Sequence, residues 1–301
     1  MINILLTGGV GNQLFQYSLY RILQMRSVEV KLDFSYLHLF PQHNSVNFSS
    51  IFHSNSLNKF ELSRLYLHKY NFFQKTPIPK FLWILKRLKH FLLFDLIIIE
   101  KKHGVFDQNL INKLINTKRD VLLIGYWQSE SYIKEIRNTL LLEINYLQLE
   151  EQLNSELYNK LRCSNSVGIH IRRGDYLSNK NLNTHSIFKS LKYYNEAIEY
   201  VKSYIKNPEF FIFSDDVEWV KSNLKLEAAV YVDWNSGKES YKDLLLMSVC
   251  SHNIIANSSF SWWAAWLNTN KNKLVIAPDT WLNNVDTPDI IPNEWIKLST
   301  N

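Results

Sequence analysis

An apolar run, Ser166-Val167-Gly168-Ile169-His170-Ile171, ends in Arg172-Arg173-Gly174-Asp175-Tyr176, so a stretch composed like a buried strand delivers two guanidinium groups, a glycine and an acid to one end. Planar guanidinium forks grip phosphate oxygens two at a time, which makes a phosphorylated ligand the first chemistry to consider for Arg172 and Arg173. Two other readings compete: a structural arginine–aspartate pair in a turn, since ion-pair networks imitate sites, and an adhesion tripeptide, Arg173-Gly174-Asp175. The tripeptide would require secretion and an exposed loop, and nothing else in the chain supports it. Polar residues recur at the ends of further apolar runs: Ser214-Asp215-Asp216 after residues 210–213, Asp233 after 229–232, and Asn257-Ser258-Ser259 after 253–256. Ser258 and Ser259 open a segment of helical apolar spacing, where they can cap the helix while its N–H groups face an anion; a plain cap is the bland alternative. Thr7-Gly8-Gly9-Val10-Gly11-Asn12-Gln13 is a glycine loop whose backbone can approach a ligand closely. It lacks the third glycine of a dinucleotide fingerprint and the lysine of a P-loop.

These residues need elements to hold them. Residues 2–6 read as a first strand, followed by the glycine loop and a helix over 14–23, and 28–32 as a second strand ending in Asp33. Residues 34–80 carry few periodic runs and are assigned to short helices and loops, with Pro77-Ile78-Pro79 as a break. Residues 80–93 mix basic with apolar and aromatic side chains; such a helix either lies at a membrane interface or packs on the first domain with a solvated basic edge. Residues 121–125 form a buried-type strand leading into Tyr126-Trp127-Gln128-Ser129, and 130–142 have helical spacing. Residues 143–165, rich in Glu, Gln and Asn, read as the passage between domains. From 166 onward strands (167–171, 210–213, 229–232, 253–256, 274–277) alternate with helices (190–206, 216–223, 239–250, 260–268), which implies a parallel sheet of the Rossmann type. In such sheets ligands sit beyond the carboxyl ends of the strands, where the polar residues above collect.

The 301 residues suffice for two ordinary domains, and 46% hydrophobic with 21% charged residues describes a globular chain. An aromatic share of 14% fits planar or carbohydrate ligands as well as ordinary core. The net charge of +6 implies attraction to an anion: nucleic acid, a membrane surface or a phosphorylated small molecule. Cys163 and Cys250 lie in or beside apolar segments, so buried free thiols in a reducing compartment are expected. Residues 1–6 lack the basic start of a signal peptide, and 81–99 are interrupted by charge, so neither a leader nor a membrane span is expected and the protein is placed in the cytoplasm.

Taken in order, Gly8-Gly9-Val10-Gly11-Asn12-Gln13-Leu14-Phe15-Gln16-Tyr17, His170-Ile171-Arg172-Arg173-Gly174-Asp175-Tyr176, Ser214-Asp215-Asp216, and Asn257-Ser258-Ser259-Phe260-Ser261-Trp262-Trp263-Ala264-Ala265-Trp266-Leu267 resemble the motifs of bacterial α-1,2-fucosyltransferases of glycosyltransferase family 11. The resemblance covers nearly the whole chain and is weakest between 34 and 120. It implies a GT-B fold, two Rossmann-like α/β domains facing a cleft, here divided as 1–150 (glycine loop, acceptor side) and 151–301 (donor side). It implies GDP-β-L-fucose as donor and inverting transfer to the 2-hydroxyl of a terminal galactose. Residue by residue, it implies His170 near the guanine, Arg172 on the β-phosphate with Arg173 beside it, Asp243 reading the guanine, Ser259 on phosphate, and Asn12 reaching the donor phosphate and fucose. Gly9, Gly11, Asp216, Asn257, Ser258 and Phe260 complete the expected donor-binding set.

No cofactor or metal is expected. Asp215-Asp216 has the wrong spacing for an Asp-x-Asp metal motif, and two arginines can neutralise a departing diphosphate. Related enzymes use a glutamate shortly after the arginine pair as base, but residues 177–184 hold no acid, which leaves Asp175 and His185 as candidates for the acceptor proton. Family members often decorate lipid-linked O-antigen repeats, and the basic 80–93 segment fits work at an anionic inner leaflet. The alternatives are a transferase using another guanosine sugar, or a basic nucleotide- or RNA-binding protein. The second is disfavoured because the aromatics lie in a helix rather than on an RNA-binding strand, so no nucleic-acid partner is expected.

Overall fold

The four-residue run Ile2–Leu5 (β1), apolar except for Asn3, is almost wholly buried, which suits a strand covered on both faces of a parallel sheet. The computed structural model describes residues 1–34, 36, 51–52, 94–144, 146–173 and 191–300. Parallel neighbours need a crossover, and Val10–Met25 (α1) supplies it before Val30–Asp33 (β2). Leu96–Ile99 (β3), Gln108–Asn116 (α2) and Val121–Ile124 (β4) follow, and the sheet order is β2-β1-β4-β3 with every pair parallel. The segment read as one helix over 130–142 is Glu130–Ile133 (α3), a 3₁₀ turn over Lys134–Ile136, and Arg137–Glu143 (α4). Described residues through Glu143, with Phe52, form one compact unit; those from Ile144 onward, with Ile51, form a second.

The second unit begins with a 3₁₀ turn, Tyr146–Leu149, and a helix, Gln152–Cys163 (α5), inside the stretch expected to be a linker. Its polar composition concealed a stripe at helical spacing: Asn154, Leu157 and Leu161 are buried while the intervening Glu and Lys face water. Cys163 ends this helix exposed, against expectation, because it follows Leu161 off the buried stripe; Cys250 is buried, and both are free thiols.

Alternation then proceeds as the sequence implies: Ser166–Ile171 (β5), Lys192–Tyr204 (α6), Glu209–Ser214 (β6), Val217–Asn223 (α7), Val230–Val232 (β7), Tyr241–Ser248 (α8), His252–Ile254 (β8), Ser259–Leu267 (α9), Val275–Pro278 (β9) and a further strand, Ile296–Leu298 (β10). The sheet order is β10-β9-β8-β5-β6-β7, again all parallel. Val167, Ile169 and Ile171 of β5 face a core shared with Tyr193, Ala197 and Val201 of α6. Gly168 and His170 face the other way. A Cβ on Gly168 would come to 3.0 Å from the Cys250 sulfur, so glycine lets the Cys250 region close on β5.

The α/β class expected from the sequence is therefore found in two separate parallel sheets. Chain order reverses direction between β5 and β8 in the second unit, and β1 and β4 hold the corresponding place in the first. Such reversals leave an opening at the carboxyl ends of the two central strands, which is where ligands settle in open α/β sheets.

Candidate active site

At the second reversal point, β5 ends in Arg172 and Arg173, and β8 leads through Ile255 and Ala256 to Asn257-Ser258-Ser259. The two arginines are held differently. An ion pair at 3.2 Å joins Arg172 to Asp215, which follows β6, and the Arg172 side chain is 35% exposed. Arg173 is 15% exposed: its guanidinium lies 3.6 Å from the ring centre of Trp219 and 3.7 Å from the Asp216 carboxylate. Asp215 also accepts the Arg173 backbone N–H at 2.8 Å, tying the ends of β5 and β6 together. Asp216 caps α7, accepting from the Trp219 N–H at 3.3 Å, and so combines a helix cap with a partner for Arg173.

His170 is nearly buried, its ring against Phe260 with centroids 5.4 Å apart, and its carbonyl accepts from Tyr194 at 3.1 Å. Burial, and secondarily the Arg172 charge, push its pKa down to about 3, so the imidazole is neutral. Its Nδ1 is buried with no hydrogen-bond partner among the described residues, an orphan of the kind that marks a ligand contact. Asn257 is buried and donates to the Trp281 carbonyl at 3.0 Å. Ser258 occupies the cap position of α9 but its hydroxyl makes no capping bond, and Ser259 opens the helix. Asp243, in the first turn of α8, is buried, and burial raises its pKa to about 7 against the lowering effect of a 2.8 Å bond from Asn235.

The first unit carries its own constellation. Gly8 has φ of +75°, a conformation that favours glycine, and a Cβ there would meet the Asn12 amide at 2.5 Å. Gly9 precedes α1 and Gly11 is buried within it. Asn12 accepts from Gln128, beyond β4, at 2.7 Å, and Gln16 donates to the Gly125 carbonyl at 2.7 Å, so the ends of β1 and β4 are laced together. Glu100, beyond β3, accepts the backbone N–H groups of Tyr126 (2.8 Å) and Trp127 (3.2 Å) and lies 3.4 Å from His103, whose pKa this carboxylate raises.

Thus His170 meets Phe260, Arg172 and Arg173 meet Asp215 and Asp216, and Asn12 meets Gln128. Asp175 and His185 lie outside the described residues, as does the basic 80–93 segment. Sequence reasoning missed Asn154, Trp234, Asn235 and Glu100. Trp234 and Asn235 directly follow the flagged Asp233 and could have been found there, whereas Asn154 sat in the supposed linker and nothing local marks Glu100. Among the described residues no cluster of three or more His, Cys, Asp or Glu could hold a metal, and no helix is long and apolar enough to cross a membrane.

The model of glycosyl transferase family 11 matches residues 1–299 of this chain. The chain belongs to glycosyl transferase family 11. This glycosyltransferase is 34% identical over 302 residues to an α-1,2-colitosyltransferase of Escherichia coli, covering 97% of each chain. An O-antigen biosynthesis glycosyltransferase of Escherichia coli, WbnK, is 30% identical over 311 residues, covering 97% of this chain and 99% of its own. A galactoside α-(1,2)-fucosyltransferase 1 of Leontopithecus chrysomelas is 28% identical over 155 residues, covering 48% of this chain and 42% of its own.

Proposed function

We propose that this family 11 glycosyltransferase transfers L-fucose from GDP-β-L-fucose, with inversion, to the 2-hydroxyl of a terminal galactose in a surface glycan. The observation that carries the reading is the pair of guanidinium groups held at the carboxyl end of β5, beside the point where strand order reverses. A diphosphate leaving group needs cationic partners there, and Arg172 is the more accessible of the two. In the reaction the acceptor oxygen forms a bond to the fucose anomeric carbon as the bond to the β-phosphate oxygen breaks. That electron pair stays on the diphosphate, and the acceptor proton passes to a base, for which Asp175 and His185 are the candidates. Arg172 opposes the charge developing on the leaving group, helped by the N–H groups opening α9. His170 and Phe260 lie beside the guanine, Asp243 pairs with its N1–H and N2–H₂ edge, and Ser259 contacts phosphate. No metal is required in this scheme.

A second reading follows from the colitosyltransferase relative, whose similarity covers 97% of this chain. Colitose is L-fucose without its 3-hydroxyl, so the two donors would share every guanosine and diphosphate contact and differ at one oxygen. Incubating the enzyme with GDP-fucose, GDP-colitose and other guanosine sugars in the presence of lactose, with EDTA and without, and analysing products by mass spectrometry and NMR tests both readings. Fucose appearing α-1,2-linked to galactose in EDTA is the expected result. Preference for the deoxy sugar would favour the second reading, and dependence on added Mg²⁺ or Mn²⁺ would overturn the metal-free scheme.

A further inference from the structure

The turn after β7 holds an amide relay that none of the motifs accounts for. Asn154, wholly buried on α5, and Asn235 exchange side-chain hydrogen bonds in both directions, at 3.0 Å and 2.9 Å. The second Asn235 N–H goes to Asp243 Oδ1 at 2.8 Å, and Trp234 donates its indole N–H to Asn154 Oδ1 at 2.8 Å. An indole nitrogen can only donate, so the Asn154 oxygen must face it. The Asn154 amide nitrogen must then face the Asn235 oxygen, and the Asn235 nitrogen must face the carboxylate. The Asn154 amide nitrogen also donates to Glu151 Oε2 at 3.3 Å, so the indole and that carboxylate set the same Asn154 orientation, and the Asn235 flip follows from it.

The surrounding charges leave this relay as the support for Asp243. Lys242, the adjacent cation, is buried and pairs at 2.7 Å with both Glu151 and Glu239. Of the elements packed on α8, α9 brings no charged side chain, and Tyr146 of the preceding 3₁₀ turn bonds to Ser248 at the far end of the helix. On α5, Lys160 pairs with Glu209, Arg162 with Tyr158, and Glu156 with Gln152. Among the described residues only Asn235 donates to the Asp243 carboxylate, and its bond falls on Oδ1. Oδ2 is left for a ligand.

We propose that Asn235, oriented through Asn154 by the indole N–H of Trp234, is a positioning residue that fixes the Asp243 carboxylate for the purine edge of the donor nucleotide. This rests on the reading of Asp243 as the guanine contact. Asp243 titrates at about 7 with the relay intact, and a guanine edge that only donates needs the ionised form.

The test is calorimetric titration of GDP and ADP into the full chain from pH 6 to 9, with melting curves alongside, for wild type, Asn235→Ala, Trp234→Phe and Asp243→Asn. Wild-type GDP affinity should fall as pH drops through about 7. Removing the Asn235 donor should move that midpoint upward; for a shift of about one unit the loss is about fivefold at pH 7 and less than about twofold at pH 9. Trp234→Phe, which keeps a packed ring but loses the N–H, should move it the same way by less, and it decides the matter if Asn235→Ala does not fold. A midpoint unchanged in both variants, or affinity lowered equally at every pH, overturns the relay. An Asp243→Asn protein with the wild-type ratio of GDP to ADP affinity overturns the guanine reading itself.

Discussion

Arg172 and Arg173 are neighbours in sequence with different work to do. Arg173 is boxed by an aromatic face and a capping carboxylate, so its guanidinium braces the end of the sheet as much as it offers charge. Arg172, more exposed and paired with Asp215, keeps a planar fork that can turn to a diphosphate. Arg172→Lys should retain charge but lose the two-pronged grip; turnover should fall about 10²-fold, as when one transition-state donor is removed, with a smaller change in donor affinity and an unchanged melting temperature. Arg173→Lys should instead lower the melting temperature, because an ammonium does not stack on Trp219 as a guanidinium does. Near-native turnover in the first variant, with saturating donor and acceptor, would remove Arg172 from the chemistry. These residues were legible because an apolar run that stops at two arginines is a local pattern. The Asn154–Asn235–Asp243 relay was not, since its members are brought together by packing between α5 and the turn after β7.

The helix α7 shows how an element builds part of a site. Asp216 fixes its first turn, Trp219 lies one turn on, and together they form the surface against which Arg173 rests. Asp216→Ala removes a cap, worth about 1 kcal/mol, and frees Arg173 from one partner. Thermal melts should show a modest loss of stability, and Asp216→Asn, which keeps the capping oxygen, should recover most of it. If the asparagine variant is as unstable as the alanine one, the pairing with Arg173 matters more than the cap. The helices and strands after 166 could be read because each apolar run is bounded by polar turn residues. Where that contrast weakens the reading fails: β3 was lost in an apolar stretch considered as a membrane span, and α5 was hidden by an amphipathic pattern with only a narrow buried stripe. β10, three residues long with a lysine at its centre, offers no periodicity to detect.

Stability of the whole molecule should carry the imprint of two buried titrating groups that pull against each other. His170 has a folded pKa of about 3 against an ordinary value of 6.5, so between those values the unfolded chain binds a proton that the folded chain does not, and stability falls as pH falls. Asp243 is opposite: with a folded value of about 7 against 3.8, the folded chain holds the extra proton in that window, and stability falls as pH rises. The two effects offset each other from about pH 4 to 6.5, and above 7 both are complete. At neutral pH and above the protein therefore carries an ionised, desolvated carboxylate at a cost to folding, the kind of local penalty that binding sites retain for function. Asp243→Asn keeps an oxygen to accept from Asn235 while removing the charge. Its melting temperature should exceed that of wild type at pH 8.5, by a margin that holds down to about pH 7 and then shrinks as pH is lowered to 4.5, even as GDP binding is lost. Parallel melting curves across that range, or a variant less stable than wild type at pH 8.5, would mean that the Asp243 carboxylate is well solvated or paired and that its burial imposes no such cost.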